Sequence, residues 1–303
     1  MDPAYADQKC DLLIFMKTLH FDYKFKHGDL RLWEDPDLRL AAMHTHSYDE
    51  IAIILGGTSI HMIGKEEYPL MRGDVFVIHG DQAHGNKKMS NFHIFNVCYD
   101  RIYFKELSKK LDDFPYFKML FYYEPCFRQN QKFKARLHLN PRQLNHIMRL
   151  LALMKEERDA LRPGHKIIIR NLFEMLIIDL CRCYSDIDTP HSKQLFTIGK
   201  TIDYLEKNYY NEITLSSLAL HVQIPESTFA RIFKKMTGCS PIDYLIKLRI
   251  EKATELMESN PKLNVTEVAM KTGFWNSSYF SRKFKKIMGM TPMTFLKKQR
   301  ESK

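Results

Sequence analysis

Between residue 20 and about residue 100, apolar side chains recur in short runs. The runs are Ile51–Leu55, Ser59–Ile63, Val75–Ile78 and Ile94–Tyr99. Residues that favour turns stand between them: Gly56-Gly57, Gly64-Lys65, Arg72-Gly73-Asp74 and Gly80-Asp81. Several short strands at this spacing, bounded by turn residues, are typical of a β-barrel or a β-sandwich.

A helical period begins near residue 140. Asn140-Pro141 has the pattern of a helix start, apolar residues then recur at helical spacing up to Arg162, and Pro163-Gly164 interrupts the chain. The apolar residues of a second helix cover more than one face: Ile167, Ile168, Ile169, Leu172, Phe173, Leu176, Ile177 and Leu180. Such a helix is buried on two sides. One side packs on the strands or on the first helix, and the other either meets a second subunit or is buried within the same one.

The segment Ser185–Ser192 is polar and contains Pro190, which predicts a linker. Every later pattern is helical and begins with a stripe formed by Leu195, Ile198, Ile202, Leu205 and Tyr209. We therefore expect a multidomain α+β protein. Its parts are a β-barrel at 1–135, a helical pair for dimerisation at 136–184, a linker at 185–192 and an all-α domain at 193–303.

The all-α domain contains an internal repeat. The sequence TFARIFKKMTGCSP, which ends at Pro241, returns as YFSRKFKKIMGMTP, which ends at Pro292, at an offset of 51 residues. Upstream, Leu218-Ala219 matches Val268-Ala269 at an offset of 50. The second copy therefore has one additional residue in its turn.

Each copy has the parts of a helix-turn-helix unit. Thr214 and Asn264 are placed to cap short first helices, and Asn264 with Glu267 forms a capping-box pattern. The turns Val222–Pro225 and Gly273–Asn276 lead into longer helices. Those helices carry phenylalanines at positions i and i+4 that belong in a core: Phe229 and Phe233, then Phe280 and Phe284.

A long helix is predicted to join the two units. Pro241 after Ser240, and Pro292 after Thr291, have the pattern of first-turn prolines behind a capping residue. The helix Pro241–Ser259 would then set the separation of two recognition helices. Two such helices fit successive major grooves, about 34 Å apart, on one face of DNA.

The charge distribution agrees with a DNA partner. Residues 193–303 hold 19 Lys and Arg against 10 Asp and Glu, a net charge of +9, whereas residues 1–192 hold 27 against 26, a net charge of +1. An excess confined to one domain indicates a polyanion bound there. The alternative is a generally basic, solvated surface.

Residues 193–303 resemble the DNA-binding domain of AraC/XylS-type transcription regulators. The segments that carry the resemblance are Leu218-Ala219, FARIFKKMTG, SPIDYLIKLRIEKATELM, VTEVAMKTGF and YFSRKFKKIMGMTP. The first turn departs from the family, which often has Gly where Gln223 stands and Ser where Pro225 stands.

The resemblance implies which side chains meet DNA. The residues implied to face bases are Ser227, Ala230, Arg231, Ser277, Ser278, Ser281 and Arg282. The paired lysines Lys234, Lys235, Lys285 and Lys286 are suited to phosphates. The alternatives are surface salt bridges for the two arginines and a merely solvated face for the lysines.

The N-terminal region has a pattern of its own. The stretch HTHSYDE contains His44, His46, Tyr48 and Glu50, and GD at 73–74 is followed by His84. This order resembles the two motifs of cupin barrels, in which His and Glu residues hold a metal. If 44–50 is one strand, its alternate residues share a face and point into the barrel.

Three interpretations of this set remain open. His44, His46, Glu50 and His84 bind a divalent metal that helps to hold a ligand, or the same groups with Tyr48 form a metal-free polar wall that hydrogen-bonds a sugar. The third interpretation, a structural role, is the least favourable because buried imidazoles without partners are costly. No cofactor is required in the second case.

The same region is similar to the sugar-responsive L-rhamnose operon regulators of the family, over HTHSYDE and YPLMRGDVFVIHGDQAH. This resemblance implies a DNA-binding regulator, more specifically an activator of sugar-catabolic genes, that is controlled by a small sugar such as L-rhamnose. Its expected partners are double-stranded DNA, RNA polymerase and a second copy of the chain. The alternatives are a cupin-type sugar-modifying metalloenzyme with a DNA-binding appendage, or a ligand-independent DNA binder.

Cysteine spacing and hydropathy indicate a cytoplasmic protein. The six cysteines, Cys10, Cys98, Cys126, Cys181, Cys183 and Cys239, are scattered without zinc-finger spacing, so reduced thiols are expected. No apolar stretch has the length of a membrane span, and the N-terminus lacks a secretory pattern. We see no nucleophile elbow, phosphate loop or clear catalytic set, so an enzyme is not expected.

Overall fold

The computed structural model describes residues 19–21, 25–26, 28–39, 41–111, 114, 116–132, 134–187 and 189–301. Cys10, one of the six cysteines, lies outside them. The chain divides into two compact units that meet between Ser192 and Lys193. The first unit is rich in strands and the second is helical, as the sequence predicts. None of the described helices has the length and apolar content needed to cross a bilayer.

Eight strands of the described chain form the sheet of the first unit. They are β1 (Leu19–Phe21), β2 (Leu30–Asp35), β3 (Ala41–His46), β4 (Asp49–Ile63), β5 (Glu66–Met71), β6 (Asp74–His79), β7 (His84–Tyr99) and β8 (Leu137–His138). The two long strands are central, since β4 pairs with β5, β6 and β7, and β7 pairs with β2, β3 and β4. All of these pairings are antiparallel.

Strand β4 bends in its middle. Its first half pairs with β6 and its second half with β5, while the register against β7 shifts repeatedly between Ile54 and Ile60. Gly57 lies at this bend with φ +66°, and a Cβ there would come within 2.1 Å of the Asn91 carbonyl oxygen. The prediction that Gly56-Gly57 separates two strands was wrong. A glycine pair looks the same in a turn and in a bend that brings two backbones together, and only the pairing with β7 distinguishes them.

The interior between the two halves of the sheet is apolar. Its buried cluster consists of Leu38, Ala52, Ile54, Ile63, Tyr68, Leu70, Phe76, Ile78, Phe92 and Ile94. Trp33, Ala41 and Met89 pack against it. This cluster positions the inward-facing side chains at the ends of β3, β4 and β7.

Helices complete the first unit. They are α1 (Arg101–Lys110), α2 (Glu124–Gln131), which follows a π-helical turn at Met119–Tyr123, α3 (Pro141–Ala160) and α4 (His165–Ser185). The predicted start of α3 is confirmed, because Asn140 and Gln143 cap it reciprocally. Helices α3 and α4 pack on each other. Phe173 and Leu176 of α4 are fully buried, whereas Ile167 is 64% exposed and Met175 is 49% exposed.

The second unit contains seven helices in its described residues. They are α5 (Pro190–Asn208), α6 (Leu215–His221), α7 (Glu226–Thr237), α8 (Pro241–Ser259), α9 (Val265–Lys271), α10 (Ser277–Met288) and α11 (Pro292–Glu301). Helix α5 begins inside the segment predicted as a linker, where Ser192 is buried and hydrogen-bonded to Thr189. Leu195, Ile198, Ile202 and Leu205 of the predicted stripe are buried. Tyr209 lies one residue beyond the end of α5.

The helix starts predicted in the second unit are confirmed. Thr214 caps α6 and Asn264 caps α9, each through a reciprocal capping box, and Ser240 caps α8 with Pro241 as its first residue. Helix α8 contacts α7 of the first helix-turn-helix unit and α9, α10 and α11 of the second. Residues of α8, among them Ile250 and Ala253, form one buried cluster with Phe280 and Phe284. The joining helix is therefore part of the hydrophobic core of the second unit.

Candidate functional site

Helices α7 and α10 repeat each other in detail. Both have 12 residues, and both end at a glycine in the left-handed conformation, Gly238 with φ +81° and Gly289 with φ +74°. In α7 the two phenylalanine rings are 5.7 Å apart, and in α10 they are 5.5 Å apart, each pair at an interplanar angle of 64°. All four rings are fully buried. The duplicated sequence therefore encodes two equivalent helices, each held by the same aromatic anchor.

The turns before the two helices differ by one residue. Ile224 donates to the Ala219 carbonyl at 3.1 Å, and Phe274 makes the equivalent bond to Ala269 at 2.9 Å, so the backbones match up to this point. After these equivalent residues, one residue, Pro225, precedes α7. Two residues precede α10, namely Trp275 and the capping residue Asn276. Trp275 is 77% exposed. The additional residue expected in the second turn lies here.

The arginines expected to meet bases point away from the core. Arg231 and Arg282 are exposed, and neither makes a salt bridge within the described ranges. The guanidinium carbon of Arg282 lies 5.5 Å from the ring centre of Tyr279, so this side chain has an aromatic neighbour. The small residues of the predicted set are exposed or half-buried on the same two helices: Ser227, Ala230, Ser277, Ser278 and Ser281.

The paired lysines lie in the last turns of α7 and α10. Lys234, Lys235, Lys285 and Lys286 are all exposed. Their positive charges complement the partial negative charge of a helix C-terminus and remain available to a polyanion. The placement is thus compatible with phosphate contacts and with a solvated face.

In the first unit, three histidines and one glutamate converge. His44 and His46 lie at the end of β3, Glu50 lies near the start of β4, and His84 opens β7 directly opposite His44. The expectation that residues 44–50 form one continuous strand was wrong, because the chain bends at Ser47 and Tyr48. Glu50 nevertheless reaches the histidines, since β4 turns back beside β7 and pairs with it.

The three imidazoles are oriented by backbone carbonyls. Nδ1 of His44 is 2.8 Å from the Ala42 oxygen, Nδ1 of His46 is 2.7 Å from the Tyr48 oxygen, and Nδ1 of His84 is 2.8 Å from the Gln82 oxygen. A carbonyl oxygen only accepts hydrogen bonds, so each Nδ1 carries the proton. The Nε2 atoms of His46 and His84 are buried and have no hydrogen-bond partner among the described residues.

The electrostatics of the cluster follow from burial and mutual proximity. Burial, together with the neighbouring His84, lowers the pKa of His44 to about 4, which keeps its ring neutral near pH 7. Burial raises the pKa of Glu50, but the imidazoles of His46 and His84, with Nε2 at 3.8 and 3.6 Å from the carboxylate oxygens, outweigh it and hold that pKa well below its ordinary value. Glu50 therefore carries its negative charge at neutral pH.

Further polar groups surround the cluster that the sequence pattern did not single out. Asn96 donates to a Glu50 oxygen at 3.3 Å, and the Cys98 sulfur lies 3.8 Å from the same oxygen. His61 is fully buried, with Nδ1 3.2 Å from the Asn86 side-chain oxygen. A period of two along β4 places Ser59 and His61 on the same inner face, which is a signal that could have indicated His61.

Tyr48 differs from the other predicted site residues. Its ring stacks on that of His46 at 4.1 Å, with an interplanar angle of 8°, and it is half-buried. Tyr48 therefore supports the ring of His46 from one side.

Comparison with known proteins identifies both units. Residues 29–173 match the family described as an AraC-like ligand binding domain, and residues 218–298 match a helix-turn-helix domain. The chain belongs to the AraC family of transcriptional regulators. It is thus a DNA-binding regulator with a ligand-binding domain, as the sequence predicts, and not an enzyme.

Individual AraC-family relatives resemble the chain over most of its length. The HTH-type transcriptional activator RhaR of Mannheimia succiniciproducens is 25% identical over 84% of this chain and 86% of its own. The RhaR of Salmonella dublin is 26% identical over 83% of this chain and 85% of its own. Among solved structures, ToxT from Vibrio cholerae aligns with a TM-score of 0.33 and 10% identity, covering 88% of this chain and 97% of that one.

Proposed function

We propose that this regulator activates sugar-catabolic genes when a small sugar, L-rhamnose or a related deoxysugar, occupies the first unit. The observation that carries the proposal is the cluster of buried His46, His84 and Glu50 with half-buried His44 beside an apolar interior. A few convergent polar groups against an apolar wall are suited to a small ligand with several hydroxyls and a methyl group. The names of the RhaR relatives support activation as the output.

The second unit supplies sequence-specific DNA binding. We assign base contacts to the exposed faces of α7 and α10, through Ser227, Ala230, Arg231, Ser277, Ser278, Ser281 and Arg282. Phosphate contacts are assigned to Lys234, Lys235, Lys285 and Lys286. Arginine suits the guanine edge in the major groove, and lysine charges add affinity without sequence preference.

A second copy of the chain is the proposed protein partner. Helices α3 and α4, with the residue that caps the end of α3, leave several apolar side chains exposed: Met148, Leu153, Leu161, Ile167, Ile168 and Met175. Apolar side chains on neighbouring helices of one unit are suited to a symmetric helix pair, which buries them in both copies. An activator also requires RNA polymerase as a partner, and a chromosomal DNA target places the regulator in the cytoplasm.

The sugar controls transcription only if it binds one arrangement of the regulator better than another. Occupancy of the cluster would favour the arrangement that binds the promoter half-sites. The cluster also has the composition of a divalent-metal site, so the sugar meets its polar groups directly or through an ion.

DNA binding with and without sugar tests the proposal. The full chain is titrated at fixed salt onto promoter fragments of sugar-catabolic genes from its own genome, with L-rhamnose, D-glucose or no sugar. We expect tighter specific binding with L-rhamnose alone. Specific binding that no sugar changes would contradict the proposed effector and leave the DNA-binding function standing. Absence of specific binding would contradict the function itself.

A further inference from the structure

We infer that Trp275 contacts a thymine: its indole ring lies against the C5-methyl group of that base in the major groove, beside the bases that α10 meets. The inference deepens the proposed function and rests on it, since it requires α10 to enter the groove. It adds one residue to the proposed base contacts, and the first helix-turn-helix unit has no counterpart of that residue.

The side chain of Trp275 takes no part in holding the second unit together. It is 77% exposed, and it makes no hydrogen bond or ring contact within the described residues. The buried cluster of this unit is built by its neighbours, among them Phe274, Phe280 and Phe284. A tryptophan side chain buries about 150–250 Å² when it finds a partner. Trp275 therefore offers a large apolar surface beside α10.

Trp275 lies at the end of α10 that would face the bases. It directly precedes Asn276, the capping residue, whose side chain accepts a hydrogen bond from the Tyr279 N–H at 2.8 Å. In helix-turn-helix domains, the N-terminal residues of the second helix contact base edges. Ser277 and Ser278 follow the cap and are among the proposed base contacts. The indole ring extends this set beyond the first residue of the helix.

The charge around Trp275 favours DNA over a protein partner. Residues 268–300 contain eight Lys and Arg and no Asp or Glu. On α10 itself, the Arg282 guanidinium carbon and the Lys283 Nζ each lie 5.5 Å from the ring centre of Tyr279. The partial positive charge of the helix N-terminus has the same sign. An apolar ring in a field of this sign suits a polyanion whose grooves also present apolar groups.

The first unit begins its equivalent helix differently. Only Pro225 separates Ile224 from α7, and the first residue of α7 is Glu226. The Glu226 carboxylate accepts a hydrogen bond from the Ser216 hydroxyl at 2.5 Å and would repel phosphates. Ser277 stands at the position of Glu226 at the repeat offset of 51 residues. The second unit thus has a hydroxyl in place of a carboxylate and one additional indole ring, and both differences favour a closer approach to DNA.

The chemistry of the ring selects its target. An indole has one hydrogen-bond donor and no acceptor, so it cannot form the two-bond pairs that read guanine or adenine. The apolar group that marks a base in the major groove is the C5-methyl group of thymine. Burying one methyl group contributes about 0.8 kcal/mol, which corresponds to about fourfold in affinity.

DNA that lacks single methyl groups tests the inference. The full-length chain first selects a duplex from a random library at fixed salt, with and without L-rhamnose. Each thymine of that duplex is then replaced by deoxyuridine, which lacks only the methyl group. We expect one replacement to weaken binding by the wild-type chain about fourfold. Trp275→Ala should bind the selected duplex more weakly and lose its sensitivity to this replacement.

Leu220→Ala is the matched control for Trp275→Ala. Leu220 is 78% exposed, but it lies on α6, before the turn of the first unit. This variant should keep the sensitivity to deoxyuridine at the same position. Loss of the sensitivity in both variants would overturn the inference.

Fluorescence gives a second measurement without any change at Trp275. The chain has two tryptophans, Trp33 and Trp275, so Trp33→Phe leaves one emitter. We expect the selected duplex to shield Trp275 from quenching by acrylamide. Quenching that is equal with and without the duplex would overturn the inference, even where the Trp275→Ala protein fails to fold.

The remaining outcomes are separable. Equal weakening on every sequence in Trp275→Ala would place the ring on the DNA backbone and overturn the inference. Unchanged DNA binding by Trp275→Ala with reduced transcription by RNA polymerase would also overturn it and assign the ring to a protein contact. A chain that selects a sequence without any methyl-sensitive thymine contradicts the inference alone, whereas a chain that selects no sequence contradicts the proposed function as well.

Discussion

Gln223 and Gly273 occupy equivalent positions in the two helix-turn-helix turns, and both adopt the left-handed backbone conformation, with φ +56° and +81°. The hydrogen bonds around them match: Gln223 donates to Leu220 and Gly273 to Met270, both at 3.1 Å. The first turn therefore has the conformation of the second, although it has glutamine where the second turn has the glycine that normally permits this conformation. A residue with a side chain is strained there, since the left-handed region costs roughly 1–2 kcal/mol.

Replacing Gln223 by glycine should relieve this strain. We expect Gln223→Gly to raise the free energy of unfolding by about 0.5–1 kcal/mol, after the greater entropy of glycine in the unfolded chain is subtracted. Gly273→Ala should act in the opposite direction, since its Cβ would lie 2.7 Å from the Tyr209 carbonyl oxygen. Urea titration of both variants measures the difference. A destabilised Gln223→Gly protein would contradict this account of the turn.

DNA contacts should separate into two kinds. Arg231→Ala and Arg282→Ala should each weaken specific binding by about 1–3 kcal/mol and relax the preference at one base position. Lys285→Ala should weaken binding to every sequence and reduce the salt slope by about one. The control is Lys65→Ala, which removes the same charge from an exposed turn of the first unit. Equal effects of all four substitutions would refute the assignment.

The ion pair of Glu124 and Arg128 is fully buried and should be essential for the first unit. Arg128 donates to the two Glu124 oxygens at 2.6 and 3.1 Å and to the Val77 carbonyl at 2.7 Å, which attaches α2 to β6. Arg128→Met should cost about 3–5 kcal/mol, because it leaves the carboxylate buried and uncompensated.

The exposed pair of Asp179 and Arg182 provides the matched control. Arg182 Nη1 lies 3.2 Å from Asp179 Oδ1, and the Arg182 side chain is 70% exposed. Arg182→Met should change the free energy of unfolding by less than about 1 kcal/mol. Thermal unfolding followed by circular dichroism compares the two variants. Equal unfolding temperatures would show that the buried ion pair stabilises the protein no more than the exposed one.

The contribution of Glu34 should depend on pH. Burial raises its pKa, but hydrogen bonds from Lys155 and His93 outweigh this and lower it below its ordinary value. A lowered folded-state pKa adds stability that is present above the unfolded value of 4.5 and is lost as the pH falls through the folded value. Glu34→Gln should thus be less stable than wild type by about 0.2–1 kcal/mol at pH 7. The difference, measured by urea titration, should vanish in acid; a difference that grows below pH 4.5 would contradict the sign.

The proposed dimer should depend on the exposed face of α4. A charge at its centre, as in Met175→Glu, should shift the chain to the monomer in sedimentation experiments, because a buried charge at an interface is costly. Lys65→Glu, on the exposed turn of the same unit, is the control and should leave the assembly unchanged. A dimer that survives Met175→Glu would place the interface elsewhere.

The helical unit was predictable because its signals are local. The caps at Thr214, Ser240 and Asn264, the aromatic pairs and the duplicated segment all operate within a few residues of one another, and the structure confirms each of them. The extra residue of the second turn was visible as a change in repeat offset. Its side chain, the exposed Trp275, follows from alignment of the two turns.

The histidine cluster was only partly predictable. The sequence by itself identified His44, His46, Glu50 and His84 through their motif. Their convergence was decided by tertiary structure, because it depends on the bend at Ser47, on the pairing of β3 with β7, and on the fold of β4 at Gly57. Pairings between strands far apart in the chain leave no local signal, and the same fold brings His61 and Asn96 to the cluster without any motif of their own.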